Sequence, residues 1–270
     1  MSSGPLISII VPSFNSGHCI GNCLSSITSQ TYTNLDILII DALSTDDTLQ
    51  IIQSYSKDDI RIRVVSEKDN GTYDAMNKGI KRAKGEWIYF LGSDDELYNP
   101  EVLQQVANFI SGTKADVVYG NVLVDGNAGW AADGDIYDGS FDIKKLLLKN
   151  ICHQSIFYRK QFVEEHNISF DQNYRVCADW DFNVKCWAQG RFEFIPQVIA
   201  RFNAGGASTK EVIDDEFGNE IVEKFIAYSN IRSYKKLKQV IPSERMYQLR
   251  KFKKYSWRMR IDSLAKRFLS

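Results

Sequence analysis

The sequence predicts an α/β fold: a doubly wound, mostly parallel sheet flanked by helices, continued by a helical C-terminal extension. Three observations lead there. Four short apolar runs, at residues 6–11, 35–40, 62–65 and 87–91, each end in polar residues. Segments whose apolar residues recur at helical spacing separate them. Residues 230–270 are basic and apolar at mainly helical intervals.

The first run ends at Pro12, and Ile20, Cys23, Leu24 and Ile27 then share one helix face. The second run ends at Asp41. Ser44, with Asp47 three residues on, reads as a capping arrangement opening a helix that carries Leu49, Ile51 and Ile52. After the third run, a helix is expected over 72–84, closed by Gly85. Strands that alternate with helices in this way make parallel sheets. Farther on, 117–124 with Asp125-Gly-Asn127 reads as a hairpin, 146–148 as a short helix and 156–158 as a strand. Residues 179–189 read as a helix, and 192–202 as a strand interrupted by Pro196. The expected organisation is a catalytic unit over 1–208, divided into 1–100 and 101–208, followed by a basic amphipathic region over 209–270.

Composition narrows the class. A chain of 270 residues, 44% hydrophobic, can bury a full core. Five scattered cysteines without metal-ligand spacing suit a reducing compartment, and Cys19 and Cys23 read as a packed helix face. No signal-peptide pattern and no apolar run of membrane-spanning length is read, so a cytoplasmic protein is expected. Net charge is −1, yet 230–270 hold thirteen Lys and Arg against Glu244 and Asp262. That asymmetry implies an anionic partner for the tail.

Open α/β sheets bind ligands at the carboxyl ends of their strands. Ser13 and Asn15, Asp41, Glu67 and Asp69, and Asp94 and Asp95 follow the four strands in turn. Adjacent carboxylates such as Asp94-Asp95 repel unless a cation stands beside them, and hard oxygens suit Mg2+ or Mn2+. The alternative is a solvated turn with Asp95 or Asn99 capping the next helix.

Pro12-Ser-Phe-Asn15, Asp41 with Ser44-Thr-Asp-Asp-Thr48, Asn77-Lys-Gly79, Gly85-Glu86 and Leu91-Gly-Ser-Asp-Asp95 occur in the order found in family 2 glycosyltransferases. The chain resembles that large inverting group, whose fold is GT-A, over roughly residues 6–208. The resemblance implies that Asp41 accepts from the donor's pyrimidine, with Pro12, Ser13 and Asn15 on the nucleotide side. It implies that Asp69 and Asn77 line the nucleotide or phosphate side, that Asp95 holds the metal, and that Asp94 holds metal or ribose. Cys177-Ala-Asp179-Trp-Asp181 looks like the family's base motif, with Asp179 as the base and Asp181 as the alternate. The other reading of Asp179 is a helix N-cap. His153 and Gln154 look like an acceptor or diphosphate segment. Gly92 stands where the family often has an acid. Met76 stands where many relatives have Arg, which leaves Lys68 or Lys78 to meet phosphate.

The expected activity is inverting transfer of a hexose from a nucleotide sugar, with UDP as the nucleotide, to an acceptor hydroxyl on a saccharide or lipid-diphosphate-linked saccharide. Manganese or magnesium is the expected cofactor. A nucleotidyltransferase would carry a glycine-rich phosphate loop with a basic residue, and Ser13–Gly17 has one glycine and no Lys or Arg. An inactive glycan- or nucleotide-binding protein would not need Asp41, Asp95 and Asp179 together. Nucleic acid is not an expected partner, since the tail lacks a recognition signature. Its stripe of Leu237, Val240, Ile241, Met246, Leu249, Phe252, Trp257, Ile261, Leu264 and Phe268 implies a helix lying on an anionic leaflet, which would place the enzyme peripherally on the inner face of the plasma membrane. Packing of that stripe on the domain is the alternative. Ser208 and Lys210 after Gly205-Gly206 suggest a loop over the diphosphate, and Trp130 a sugar platform or a core residue.

Overall fold

The computed structural model describes residues 4–206, 214–231, 233–250, 261, 264 and 266–269. Strands β1 (Ile7–Ser13), β2 (Leu35–Asp41), β3 (Ile62–Ser66) and β4 (Trp87–Phe90) pair in parallel in the order β3-β2-β1-β4. Helices α1 (Ile20–Thr28), α2 (Thr48–Asp58) and α3 (Thr72–Arg82) connect them. The sheet then continues through β8 (Ile156–Arg159), β6 (Val117–Asp125), β9 (Phe192–Asn203) and β5 (Glu96–Leu97), with β7 (Ile136–Tyr137) beside β6. Here the pairing is mixed: β8 is antiparallel to both β4 and β6, whereas β6 and β9 run parallel. The first half is therefore the parallel sheet that the apolar runs imply, and the second half is a mixed extension of it.

Alternation explains why both sheet faces are covered. Ile7, Ile9 and Val11 of β1 enter one core with α1, α2 and α4 (Val102–Ile110), while Ile10 enters the other. In β4, Trp87 and Tyr89 face the first core, and Ile88 and Phe90 the second. A period of two, with apolar residues on both faces, is the pattern of a strand buried between two helical layers. The second core receives α3, α5 (Ile143–Leu146), α7 (Ala178–Gln189) and α8 (Asp215–Tyr228). Helix α6 (Lys160–Glu165) follows β8.

Several local expectations change. Helix α2 begins at Thr48, and Ser44 does not cap it; its hydroxyl donates to Asp41 and accepts from the backbone of Asn15. Gly85 does not close α3. A Cβ there would lie 2.5 Å from the Ser8 nitrogen and 2.7 Å from the Leu6 oxygen, so glycine lets β4 begin against β1. Residues 117–125 turn back only through the two-residue β7. Strand β9 runs unbroken past Pro196, because its register against β6 slips between Tyr119 and Val122.

The C-terminal region is part of the second core. Phe217, Ile221, Phe225, Leu237, Ile241, Leu249, Ile261 and Leu264 are all buried in it, and Val240, Met246 and Phe268 pack against it. Helices α9 (Tyr234–Val240) and α10 (Met246–Arg250) thus spend their apolar stripe on the domain, not on a leaflet. Phe252 and Trp257 lie outside the described residues. The expected boundary at 208/209 does not separate two cores.

A buried ion cluster fastens α8 to α7. Asp181 is wholly enclosed, with Lys224 at 3.1 Å, Lys185 at 2.9 Å and the Tyr228 hydroxyl donating at 2.9 Å. Lys224 is itself buried and faces the rings of Tyr174, Tyr228 and Phe268. A carboxylate in such a place needs its counter-charges. Lys224→Ala is therefore expected to cost about 3 kcal/mol of stability, read as a lower midpoint in urea unfolding.

Candidate active site

Order β3-β2-β1-β4 places the reversal of strand order between β1 and β4, and a cleft of about 540 Å³ opens at their carboxyl ends. Pro12, Phe14, Asn15 and Ser16 form its β1 side, and Gly92 to Asp95 its β4 side. His153, Gln154, Phe202 and Asn203 close it from the second half, with Tyr73, Arg175 and Gly206 at its rim. A larger groove, about 750 Å³, lies between α5, α8 and α9; Trp187, Phe225 and Ile231 line it with Lys236, and it holds no group of acids or nucleophiles.

The two β4 carboxylates are folded back over Gly92. A Cβ at that glycine would meet both of them, 2.8 Å from Asp94 Oδ1 and closer still to Asp95 Oδ2. The residue that departs from the family's acidic pattern is thus what lets the pair converge. Asp95 is buried, accepting from Gln154 Nε2 at 2.7 Å and from the Asn203 backbone at 2.9 Å. Burial first, and the Asp94 charge second, push its carboxyl up to about 7; the Asn203 and Gln154 hydrogen bonds and His153 oppose the shift only in part. Asp95 caps no helix, since α4 starts at Val102.

Convergent hard oxygens of this kind fit a divalent ion, whose remaining ligands would be water and a diphosphate. Among the described residues no group of three or more His, Cys, Asp or Glu is placed to hold a metal ion. Cys19, also in the cleft, is no nucleophile: burial and the charges of Asp94 and Asp95 push its thiol up to about 11.

The nucleotide-side expectations divide. Pro12 and Asn15 line the cleft; Asn15 adopts φ 48° and accepts from the Thr45 backbone, joining the loops after β1 and β2. Ser13 is buried, and its hydroxyl has no partner among the described residues. Asp41 is fully enclosed, accepting from the Ser44 backbone, the Ser44 hydroxyl and the Ser66 hydroxyl, and it lies outside the cleft lining. Asp69 accepts from the Gly71 backbone at the start of α3. Asn77 exchanges two 2.9 Å hydrogen bonds with the backbone of Phe170 and does not line the cleft. It fastens α3 to the second half. Lys78 is engaged by Glu67, Asp74 and the Lys68 carbonyl, so neither lysine replaces the missing Arg at the cleft.

On the acceptor side, Asp179 sits in the first turn of α7 with its side chain 17% exposed. Its Oδ2 lies 3.2 Å from His153 Nδ1 and accepts from Asn150 Nδ2 at 3.0 Å; its Oδ1 accepts from the Trp180 backbone. Asn150 is held in turn by Asn183, and Asn183 by the Tyr158 hydroxyl. The segment leading into α7 is held by Asp214, which accepts from the backbone of Arg175, Val176 and Cys177 at 3.1, 2.9 and 2.8 Å. Burial alone would push its carboxyl up, but these three N–H groups hold it below the usual carboxylate range. Asp179 itself also serves the first turn of α7, since its Oδ1 accepts from the Trp180 backbone. Asp181, its alternate, is consumed in the Lys224 cluster.

Among the cleft residues that escaped the sequence reading are Phe14, His18, Tyr73 and Arg175. Phe14 is 61% exposed; in the sequence its signal was its place inside the Pro12-Ser-Phe-Asn15 motif at a strand end. Arg175 carried none, because Asp214 alone fixes its backbone. Trp130 packs on Tyr137 and Phe202 at the margin. Ser208 and Lys210 lie outside the described residues.

A nucleotide-binding parallel sheet with paired carboxylates at its switch point, facing an acceptor half with a held aspartate, defines a GT-A-type glycosyltransferase. Residues 8–170 match the sequence model of glycosyl transferase family 2, and the chain belongs to that family. It is 37% identical over 221 residues to a PGL/p-HBAD biosynthesis glycosyltransferase of Mycobacterium bovis, covering 80% of this chain and 83% of that one. The fold is similar to S. aureus TarS in complex with UDP-GlcNAc: TM-score 0.72, 20% identity, 90% of this chain and 72% of that one. It is also similar to the mannosyltransferase PcManGT of Pyrobaculum calidifontis in complex with GDP-Man and Mn2+: TM-score 0.57, 15% identity, 98% of this chain and 74% of that one.

A carboxyl raised from the ordinary range to about 7 binds more protons folded than unfolded, so metal-free stability falls as pH rises from about 4 towards 7 and stays low above. Metal-free Asp95→Asn is accordingly expected to melt higher than wild type at pH 8, with the gap narrowing as pH falls and closing only below about pH 4, by differential scanning calorimetry. Asp214→Ala is expected to cost about 1 kcal/mol or more, because it leaves the Arg175, Val176 and Cys177 N–H groups without their acceptor, measured in urea.

Proposed function

We propose that this glycosyltransferase moves a hexose from a UDP-sugar to an acceptor hydroxyl with inversion, using a divalent ion at Asp94 and Asp95 and a base unit built on Asp179. The carrying observation is the placement of two adjacent residues: Gln154 bonds Asp95 while His153 meets Asp179, so the metal pole and the base pole share one short turn, His153–Ser155.

The roles follow from chemistry. Phe14 and Pro12 offer the base an apolar wall, and Asn15 with Ser44 fixes the loops around it. Asp41 then acts through Ser44, shaping that wall. Asp94 and Asp95 would hold Mn2+ or Mg2+, which neutralises charge developing on the leaving diphosphate. Transfer with inversion needs a single displacement, and the acceptor hydroxyl must lose its proton as it attacks. The Asp179–His153 pair is the acceptor-side group suited to that. TarS and PcManGT, in complex with a UDP-sugar and with GDP-Man and Mn2+ respectively, support a nucleotide-sugar donor and a metal. The mycobacterial relative, named a PGL/p-HBAD biosynthesis glycosyltransferase, supports the glycosyl-transfer reading.

No helix among the described residues is long and apolar enough to cross a membrane. With the apolar stripe packed inside, an anionic leaflet would be met by charge: Lys235, Lys236 and Lys238 of α9 are exposed. Such contact fits an enzyme working peripherally on the inner face of the plasma membrane.

Screening the protein with Mn2+ against nucleotide sugars, reading nucleotide release with simple acceptors, tests the activity. Chelator and Asp95→Asn should each remove most turnover, with Mn2+ restoring only the chelated wild type; full turnover in chelator refutes the metal. Nuclear magnetic resonance of the product should show an inverted anomeric centre. Replacing Lys235, Lys236 and Lys238 by Glu should abolish salt-sensitive sedimentation with anionic liposomes, and a wild type that ignores such liposomes removes the membrane reading.

A further inference from the structure

We propose that the indole of Trp130 is the platform on which a sugar ring of the acceptor stacks, and hence that the acceptor is a saccharide. This rests on the glycosyl-transfer reading and deepens it by naming the acceptor's class and its subsite.

Topology brings Trp130 to the right rim. β8 is antiparallel to β4, and β6 is antiparallel to β8, so β6 points the same way as β1 and β4. The loop after β6, which carries Trp130, therefore leaves from the rim that carries Asn15, Asp94 and Asp95. In the sheet, β4 and β8 separate β6 from β1. The indole thus stands on the second-half side of the cleft, apart from the apolar wall of Pro12 and Phe14.

The loop is pinned from within. The Gly126 N–H donates to Asp133 at 2.8 Å, the Ala128 N–H to the Ala131 carbonyl at 3.0 Å and the Ala132 N–H to Asp135 at 2.8 Å. Held in this way, the indole packs against two rings, Tyr137 at 4.7 Å and Phe202 at 5.4 Å between centroids. Each ring leads to one pole of the site. The Tyr137 hydroxyl donates to the Asn150 carbonyl at 2.7 Å, and the Asn150 side chain donates to Asp179 at 3.0 Å. Phe202 lines the cleft and precedes Asn203, whose backbone donates to Asp95. A ring stacked on Trp130 is therefore registered against both the base aspartate and the metal carboxylates.

What is left open on the indole fits a sugar. Among the described tryptophans, Trp87 is enclosed and Trp180 and Trp187 are half-buried, whereas Trp130 is 44% exposed. A tryptophan serving only as core does not leave that much apolar surface beside a polar cleft. Its Nε1 makes no hydrogen bond among the described residues, while that of Trp180 donates to the Leu146 carbonyl. A pyranose presents a face of C–H groups to an aromatic ring and a rim of hydroxyls to such an N–H donor. The neighbouring Asp133 and Asp135 are exposed, which suits hydroxyl groups and opposes an acyl chain at this place.

The test uses the full chain with Mn2+ and the donor and acceptor that turn over in the nucleotide-sugar screen. Trp130→Ala should raise the acceptor KM on the order of tenfold, while kcat and the donor KM hold. Trp130→Phe, which keeps a ring, should recover most of that loss. An acceptor KM that Trp130→Ala leaves unchanged overturns the proposal and leaves glycosyl transfer intact. A second measurement needs no turnover. The chain has five tryptophans, so 15N–1H indole spectra of wild type and Trp130→Phe assign this ring. With UDP and Mn2+ present, methyl glycosides of glucose, galactose and mannose should move the Trp130 signal more than the other indole signals. A Trp130 signal that none of these glycosides moves overturns the proposal, whether or not any donor is consumed. A signal that moves while no donor is consumed upholds the sugar platform and counts against the transfer reading alone.

Discussion

Asp95 sets the terms for the rest of the site. Its carboxylate leaves the parallel half of the sheet at the end of β4 and is received by two donors from the other half, Gln154 and the Asn203 backbone. Burial beside Asp94 would expel such a charge, so the surrounding structure must either protonate it or supply a cation. Everything near it is arranged around that tension. Gly92 gives the two carboxylates room, Gln154 is anchored by the Tyr89 hydroxyl on its carbonyl, and the end of β9 is drawn in over the cleft.

The second constraint is the anchoring of α7. Its first turn carries Asp179, and its N-terminus is held by a carboxylate from the C-terminal region, Asp214. One turn along, Asp181 is clamped by Lys224 of α8. The C-terminal helices are therefore part of the acceptor site's support, which explains why their apolar residues are buried and their lysines remain outside.

The fold was legible because buried parallel strands are local objects. An apolar run of four to seven residues ended by a polar one says almost all that is needed, and β1, β2, β3 and β4 lie where those runs are. The acidic strand ends were legible for the same reason: topology alone carries Asn15, Asp94 and Asp95 to one rim. Where a residue's meaning depended on a distant partner, the reading failed. Ser44 looked like a cap but serves Asp41 and Asn15. Gly85 looked like a helix stop but makes room for the β1 backbone. The tail looked like a leaflet helix, because an amphipathic stripe is the same whether it meets lipid or protein.

By itself the sequence determined the parallel sheet, the family and the identity of the acidic rim, since each is written in short contiguous motifs. Only the tertiary structure decided which polar side chains face the cleft. Asn77 is turned to Phe170, ninety-three positions away, and Asp181 to Lys224. His153 is brought to Asp179, and Asp214 to the start of α7. Hydrogen bonds and ion pairs are satisfied by whatever the fold places within about 3 Å, and chain distance does not enter that choice.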